Sequence, residues 1–401
     1  MKKRWLLLTI GLALACGLAF FQVVATSGPK DEVYRKLKLL TEVMEIVRQE
    51  YVEEVSYEKL ITGAIQGMLS NLDPYSAYLT PDMMKELEIE TKGSFGGIGI
   101  EIGMKDGIPT VISPIEDTPA WKAGLKAGDK IIKINGEPTK GLSLMECVKR
   151  LRGPKGTKVT LTILREGLSE PKEVTIIRDI IKIQSVKSRP LEEGFFYVRI
   201  TQFQEDTARD LRKAILSYEK ETPIRGLILD LRNNPGGLLD QAVEVADLFL
   251  NKGVIVSVKT RDQRELRYEA KEEGTFQDWP MIVLVNYGSA SASEIVAGAL
   301  KDHKRALIMG TRTFGKGSVQ TIIPLEGGSG LRLTTARYFT PQGTSIQDSG
   351  IKPDIEYPEP QEAQGEEDPV LREAFNYLKA LALYREYVDV TKKKAKGQEK
   401  S

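Results

Sequence analysis

Two short apolar runs, Gly226-Leu227-Ile228-Leu229-Asp230-Leu231 and Met281-Ile282-Val283-Leu284-Val285, restrict the fold of this chain more than any other feature. Runs of this length, bounded by Pro, Gly and Asn, read as strands. Between Ile181 and about Asp354 such strands alternate with helical stretches, which is the mark of an α/β core. With 401 residues the chain exceeds what one core usually organises, so further domains are expected beside it.

Those domains differ in pattern. From Asp31 to about Glu90 the sequence predicts a helical arm, with Leu37, Leu40, Val43, Met44 and Val47 at three- and four-residue spacings and a second helix over Tyr57 to Leu69. Residues 91–180 bring glycines, short β-branched runs and turns such as Ile134-Asn135-Gly136-Glu137, which predict a small β-rich module. The α/β core follows over 181–357, then a linker rich in Pro, Glu and Gln and an amphipathic carboxy-terminal helix within 358–401. The fold class expected is therefore multidomain α/β.

Composition excludes one class of partner. The 57 basic and 56 acidic residues nearly cancel, and no clustered basic excess exists for phosphate binding, so nucleic acid is not expected as a ligand. Met1-Lys2-Lys3-Arg4 and the apolar run from Trp5 to Ala25 form an export signal. Residues 1–25 are long enough either to be cleaved after Val23-Val24-Ala25 or to stay as a membrane anchor. An exported, extracytoplasmic location is expected in both cases. Cys16 falls within that run and Cys147 in a helical stretch, so no intrachain disulfide framework follows. Cys147 reads as a small buried hydrophobe.

Gly96-Gly97-Ile98-Gly99-Ile100-Glu101 opens the β-rich module with backbone amides that no bulky side chain shields, which suits capture of a terminal carboxylate. Taken alone, a β-bulge or turn explains it equally well. Pro119-Ala120, Ala123-Gly124-Leu125-Lys126-Ala127-Gly128-Asp129 and Ile134-Asn135-Gly136 follow in order, and the set resembles a PDZ domain of the bacterial protease type. The resemblance implies that Gly97, Ile98, Gly99 and Ile100 form the carboxylate-binding loop. It also implies an apolar pocket floor with contributions from Ile98 and Ile100, and protein ligands with free, apolar carboxy termini.

Hydrolysis of a peptide bond by a hydroxyl needs a nucleophile, a base and amides for the oxyanion. The single histidine, His303, is flanked by charges just after a helical stretch and reads as an exposed or capping residue. A lysine is the main alternative base, although lowering its pKa from about 10.4 to 7–8 by burial costs about 4 kcal/mol. Lys316, in Thr313-Phe314-Gly315-Lys316-Gly317-Ser318-Val319-Gln320, has glycines on both sides and uncharged neighbours, so it suits close packing. Nucleophile candidates stand in Gly288-Ser289-Ala290-Ser291-Ala292-Ser293-Glu294, between an apolar strand and an apolar helix. Serines before a helix are also ordinary caps, and Ser293 with Glu294 after it reads as one. On chemistry alone Ser289, Ser291 and Ser293 all stay open.

This serine cluster, paired with Gly-Lys-Gly-Ser-Val-Gln, resembles the carboxy-terminal processing peptidases, or tail-specific proteases, from the arm to about residue 357. The family joins a PDZ domain to a Ser-Lys serine protease that needs neither metal nor nucleotide, and no cofactor is expected. Its fixed spacing, 25 positions before the lysine, selects Ser291 as nucleophile with Lys316 as base. Gln320 matches the supporting glutamine that orients the lysine. Asp230-Leu231-Arg232-Asn233-Asn234-Pro235-Gly236-Gly237 is a further signature, and by resemblance the amides of Gly237 and Ala292 form the oxyanion hole. In some members the PDZ domain gates the catalytic tunnel. Two rivals are an inactive PDZ scaffold, which the intact Ser291, Lys316 and Gln320 oppose, and an acyl-transfer enzyme, for which tail recognition has no use. The arm and the final helix together suggest a homodimer.

Overall fold

A computed structural model describes residues 29–192, 194–271, 276, 279–358 and 368–398. The expected export segment, Cys16 and most of the expected linker lie outside the described residues.

Two helices, α1 (Pro29–Glu50) and α2 (Tyr57–Ser70), make up the amino-terminal arm. Ser56 caps α2 by accepting from the Lys59 amide. The Tyr57 hydroxyl donates to Glu45 at 2.5 Å, and the Arg48 guanidinium lies 4.2 Å above the Tyr57 ring, so the first residue of α2 fastens it to α1. Leu37, Leu40 and Val43 of the predicted apolar stripe remain exposed.

After α3 (Pro81–Lys92) the chain enters the β-rich module through β1 (Ser94–Gly97). The module comprises β2 (Ile100–Lys105), β3 (Ile108–Pro114), β4 (Lys130–Ile134), β5 (Glu137–Pro138), helix α4 (Leu144–Leu151), β6 (Lys158–Leu164) and β7 (Lys172–Ile177). Its strands run in the order β2-β3-β4-β6-β7, with β5 folded back on β4. Ile98, Val111, Ile131, Leu161 and Ile163 fill the interior with Cys147, which is buried as a thiol inside α4. Ser143 and Glu146 cap α4 reciprocally. The chain leaves along β8 (Asp179–Lys182), which pairs antiparallel with β1, so entry and exit form one two-stranded ribbon.

The α/β core contains β9 (Val186–Pro190), β10 (Phe195–Ile200), α5 (Thr207–Glu221), β11 (Gly226–Asp230), α6 (Leu239–Asp247), β12 (Val254–Thr260), β13 (Glu265–Glu269) and β14 (Met281–Val285). Then come α7 (Ala292–Asp302), β15 (Leu307–Gly310), β16 (Ser318–Pro324), β17 (Gly330–Phe339), β18 (Ile355–Glu356) and, last, α8 (Pro369–Gln398). One sheet has the order β9-β10-β11-β14-β15-β18, parallel except for β9. A second sheet carries β16, β17, β12 and β13 in that order.

The parallel strands lack polar alternation because both their faces are covered. Leu227, Leu229 and Val283 join the cluster under α5, α6 and α7, whereas Ile228, Ile282 and Leu284 pack on Leu371, Ala374 and Leu378 of α8. The final helix thus seals one face of the central sheet and continues to Gln398. Among the described residues no helix is long and apolar enough to cross a membrane, and no group of three metal-ligating side chains occurs.

Candidate active site

Strands β11 and β14 are parallel neighbours in the register Asp230↔Leu284, and β15 lies next to β14. The segments that follow these three strands therefore emerge from one edge of the sheet, where α/β folds place ligands. The first holds Asn233, Asn234, Gly236 and Gly237, the second Ser289 and Ser291, and the third Lys316.

The three serines left open by sequence have different surroundings. Ser289 is buried, donates to the Leu231 carbonyl at 2.8 Å and accepts from the Asn286 amide at 3.0 Å. Ser293 is buried too, and donates to the Asn234 carbonyl at 2.9 Å. Ser293 lies inside α7 and is not its cap, contrary to expectation; Ser291 holds the position before the first helical residue. Ser291 retains 9% exposure and has φ +53°, a left-handed conformation that costs a non-glycine residue about 1–3 kcal/mol.

Neighbouring segments enforce that turn. The Ala290 amide donates to Asn234 at 3.0 Å, and the Ser291 amide donates to Glu294 at 2.8 Å. Gly236, at φ +106°, lies so close that an added Cβ would sit 2.8 Å from the Ser291 Cβ and 3.0 Å from the Ala292 nitrogen. The Asn234 side chain pins this approach, accepting from the Gly236 amide and donating to the Ile200 carbonyl, both at 2.9 Å. The amides of Gly237 and Ala292 donate to no acceptor among the described residues. For Ala292 the cause is its place in the first turn of α7.

One buried carboxylate joins the serine turn to the lysine segment. Glu294 Oε2 accepts from the backbone amides of Ser291 (2.8 Å) and Lys316 (2.9 Å). Its Oε1 accepts from the Gly315 amide at 2.7 Å and the Thr313 hydroxyl at 2.6 Å. That hydroxyl itself accepts from the Ile351 amide, so its proton points to Glu294. Burial pushes the Glu294 pKa up, and the four donors pull against it. The Lys316 pKa is held below the usual lysine value, first by burial and then by the nearby charge of Arg332, while Glu294 acts in the opposite direction. Gln320, on β16, donates through Nε2 to Ser318 (2.9 Å) and Thr334 (3.2 Å), which fixes the plane of its amide. His303 caps the far end of α7, against the Val254 carbonyl at 2.7 Å, roughly 18 Å along the helix from Ser291.

In the module, β2 is an edge strand and α4 packs against it. The Ile98 carbonyl accepts from the Ala120 amide, and the Gly99 carbonyl from the Ile115 amide and the Thr118 hydroxyl, so the loop's carbonyls turn inward. Among the described residues the Ile98 and Gly99 amides donate to nothing. Gly99 has φ +79°, and a Cβ there would meet Thr118 at 2.3 Å. Ile98 is 2% exposed within the module's interior, and Ile100 is half-buried against the same cluster.

Residues 195–357 match the model of peptidase family S41, residues 86–164 that of the PDZ domain, and residues 21–83 that of the activating protease CtpB N-terminal domain. A carboxy-terminal-processing protease of Bartonella bacilliformis is 48% identical over 371 residues, covering 91% of this chain and 85% of the relative. The carboxy-terminal processing protease CtpA of Bacillus subtilis is 40% identical over 322 residues, covering 80% of this chain and 68% of the relative. Among solved structures, a photosystem II D1 C-terminal processing protease is 34% identical with a TM-score of 0.48, covering 81% of this chain and 89% of the other. The protein is a serine-type peptidase. It belongs to the carboxy-terminal processing proteases, with a PDZ domain and an S41 core.

Sequence reasoning missed Glu294 as the junction of the site. The available signal was a lone acidic residue in an otherwise uncharged stretch entering an apolar helix, because a buried charge needs dedicated donors. Replacing Glu294 by Gln turns one acceptor oxygen into an NH2 group facing two donors. The expected outcome is a loss of about 1–3 kcal/mol in the free energy of unfolding and a fall in kcat of about 100-fold from the misplaced serine and lysine, read by denaturant unfolding and cleavage assays on the same variant.

Proposed function

We propose that this chain is an exported endopeptidase that binds protein substrates by their free carboxy termini at the PDZ domain and cleaves them with a Ser291–Lys316 dyad. The observation that carries the reading is the strained Ser291 turn, tied through the single Glu294 carboxylate to the Lys316 backbone. Neutral Lys316 takes the Ser291 proton as Oγ attacks the scissile carbonyl. The amides of Gly237 and Ala292 receive the oxyanion, a type of contact worth about 10²–10³ in kcat for each donor. Lys316, now an ammonium, returns the proton to the leaving amine, and water then hydrolyses the acyl-enzyme. Gln320 steadies the lysine from β16.

Burial and Arg332 both favour the neutral lysine, so kcat/KM rises with pH and levels off above the Lys316 pKa. Export rests on the basic and apolar segment over 1–25, which either is removed or stays as a membrane anchor. A second copy of the chain is the partner best suited to the exposed Leu37, Leu40 and Val43 of α1 and to Leu383, Tyr384 and Tyr387 of α8. Gating of the site by the PDZ domain fits the module's insertion ahead of the core.

Three measurements test the reading. In cleavage of one unstructured protein, Ser291→Ala and Lys316→Ala each lower activity by at least about a thousandfold, and Arg332→Gln moves the acid limb of the pH profile to higher pH, because a cause of the lowered lysine pKa is gone. A wild-type rate in Ser291→Ala refutes the mechanism. Peptides with an apolar free carboxy terminus bind the module at least about tenfold more tightly than their amides, and equal binding refutes carboxylate recognition. The mass of the full chain in solution is that of a dimer, whereas a monomeric mass removes the dimer.

A further inference from the structure

Beside the oxyanion loop lies an ionic cluster that the proposed mechanism does not use. Arg232 is 8% exposed and shares its guanidinium between two carboxylates. Towards Asp230 it donates through Nε at 3.0 Å and Nη2 at 2.7 Å. Towards Asp368 it donates through Nη1 at 3.1 Å and Nη2 at 2.6 Å. Asp230 is fully buried at the end of β11 and also accepts from the Tyr197 hydroxyl and the Arg232 amide, so the inner half of the cluster is rigid.

Asp368 has a second duty. It directly precedes α8, and its Oδ1 accepts from the Leu371 amide at 3.0 Å, the geometry of a helix N-cap. Burial disfavours its charge, yet the Arg232 hydrogen bonds and the first-turn amides outweigh this and hold its pKa below the usual carboxylate value. The carboxylate that starts the final helix therefore also grips the arginine that starts the oxyanion loop.

From Arg232 the constraint passes through consecutive residues. The Asn233 amide donates to Asn286 at 2.9 Å, and the Asn286 side chain donates back to Asn233 at 3.0 Å, which ties the loop to the segment preceding Ser291. The Asn234 carbonyl receives the Ala290 amide and the Ser293 hydroxyl. Gly236 and Gly237 follow at once, against Ser291 and Ala292.

We infer that Asp368 is a positioning residue for peptide-bond cleavage: presented by the docked carboxy-terminal helix, it clamps Arg232 and so holds the Asn233–Gly237 loop against the Ser291 turn. Turnover then depends on a helix that touches no substrate. The inference rests on the proposed roles of Ser291 and Gly237, and the test separates the two.

Asp368→Asn is the informative variant, since Asn caps helices as well as Asp does but carries no charge for Arg232. The control is Glu386→Gln, which removes a different ion pair of the same helix, the 3.0 Å contact with Arg225, away from the loop. Cleavage of an unstructured protein is followed in the full chain with Ser291→Ala alongside, and thermal unfolding is recorded for each variant. The expected result is a fall in kcat of at least about tenfold for Asp368→Asn, with KM within about twofold and the pH midpoint of the lysine limb unmoved, while Glu386→Gln keeps the wild-type kcat. An Asp368→Asn kcat within about twofold of wild type, beside an inactive Ser291→Ala, overturns the inference and leaves the serine mechanism standing. Equal losses in Asp368→Asn and Glu386→Gln overturn it as well, because helix docking alone then accounts for both. Activity in Ser291→Ala overturns the mechanism and the inference together. If Asp368→Asn does not fold, Asp368→Ser, which also caps, supplies the same comparison.

Discussion

Everything at the candidate site depends on the solvation of one buried charge by protein. Removing a carboxylate from water costs several kcal/mol, and fixed donors must offset it. Glu294 draws those donors from the serine turn, from Gly315 and Lys316, and from Thr313, which Ile351 orients in turn. Segments more than twenty residues apart in sequence thus share one acceptor, and none of them can move without leaving it undersolvated. The left-handed backbone at Ser291 persists because it is over-determined in this way. An anion beside a lysine that should be neutral looks contradictory, but Glu294 meets the Lys316 backbone, and burial together with Arg332 outweighs its field at the ammonium.

Much of the fold was legible in the chain. Strands β11 and β14 announced themselves because two covered faces leave no room for polar alternation, and Cys147 was readable as a small buried residue on a short amphipathic helix. The site was legible in part. Uncharged, glycine-flanked surroundings singled out Lys316, whereas choosing Ser291 needed a family spacing, since three serines in five residues have the same chemistry on paper. Their difference is tertiary: Ser289 and Ser293 give their hydroxyl protons to carbonyls of the loop after β11, nearly sixty residues upstream. The capping expectation for Ser293 failed for the same reason. Local rules saw a helix start and had no sight of the Asn234 carbonyl that the sheet brings alongside.

The second carboxylate cluster resembles the first in its logic. Asp230, Arg232 and Asp368 form a line of alternating charges in which each member completes the hydrogen bonding of the next, and Tyr197 closes the inner end. Both clusters lie at the carboxyl ends of parallel strands, where strands stop and loops must be held by side chains because the ladder no longer holds them. Sequence offers little warning of such pairs, since Arg232 and Asp368 are 136 positions apart.

The ribbon of β1 and β8 adds an evolutionary consequence. Ser94 and Lys182 face each other across it, so the PDZ module begins and ends at a single seam. A closed insertion of this kind leaves the host sheet's strand order untouched, since β9 onward assembles without any strand from the module. The PDZ module and the S41 core can accordingly accumulate mutations on separate schedules, with the module exchangeable by crossovers at its two ends and the core sheet never recut.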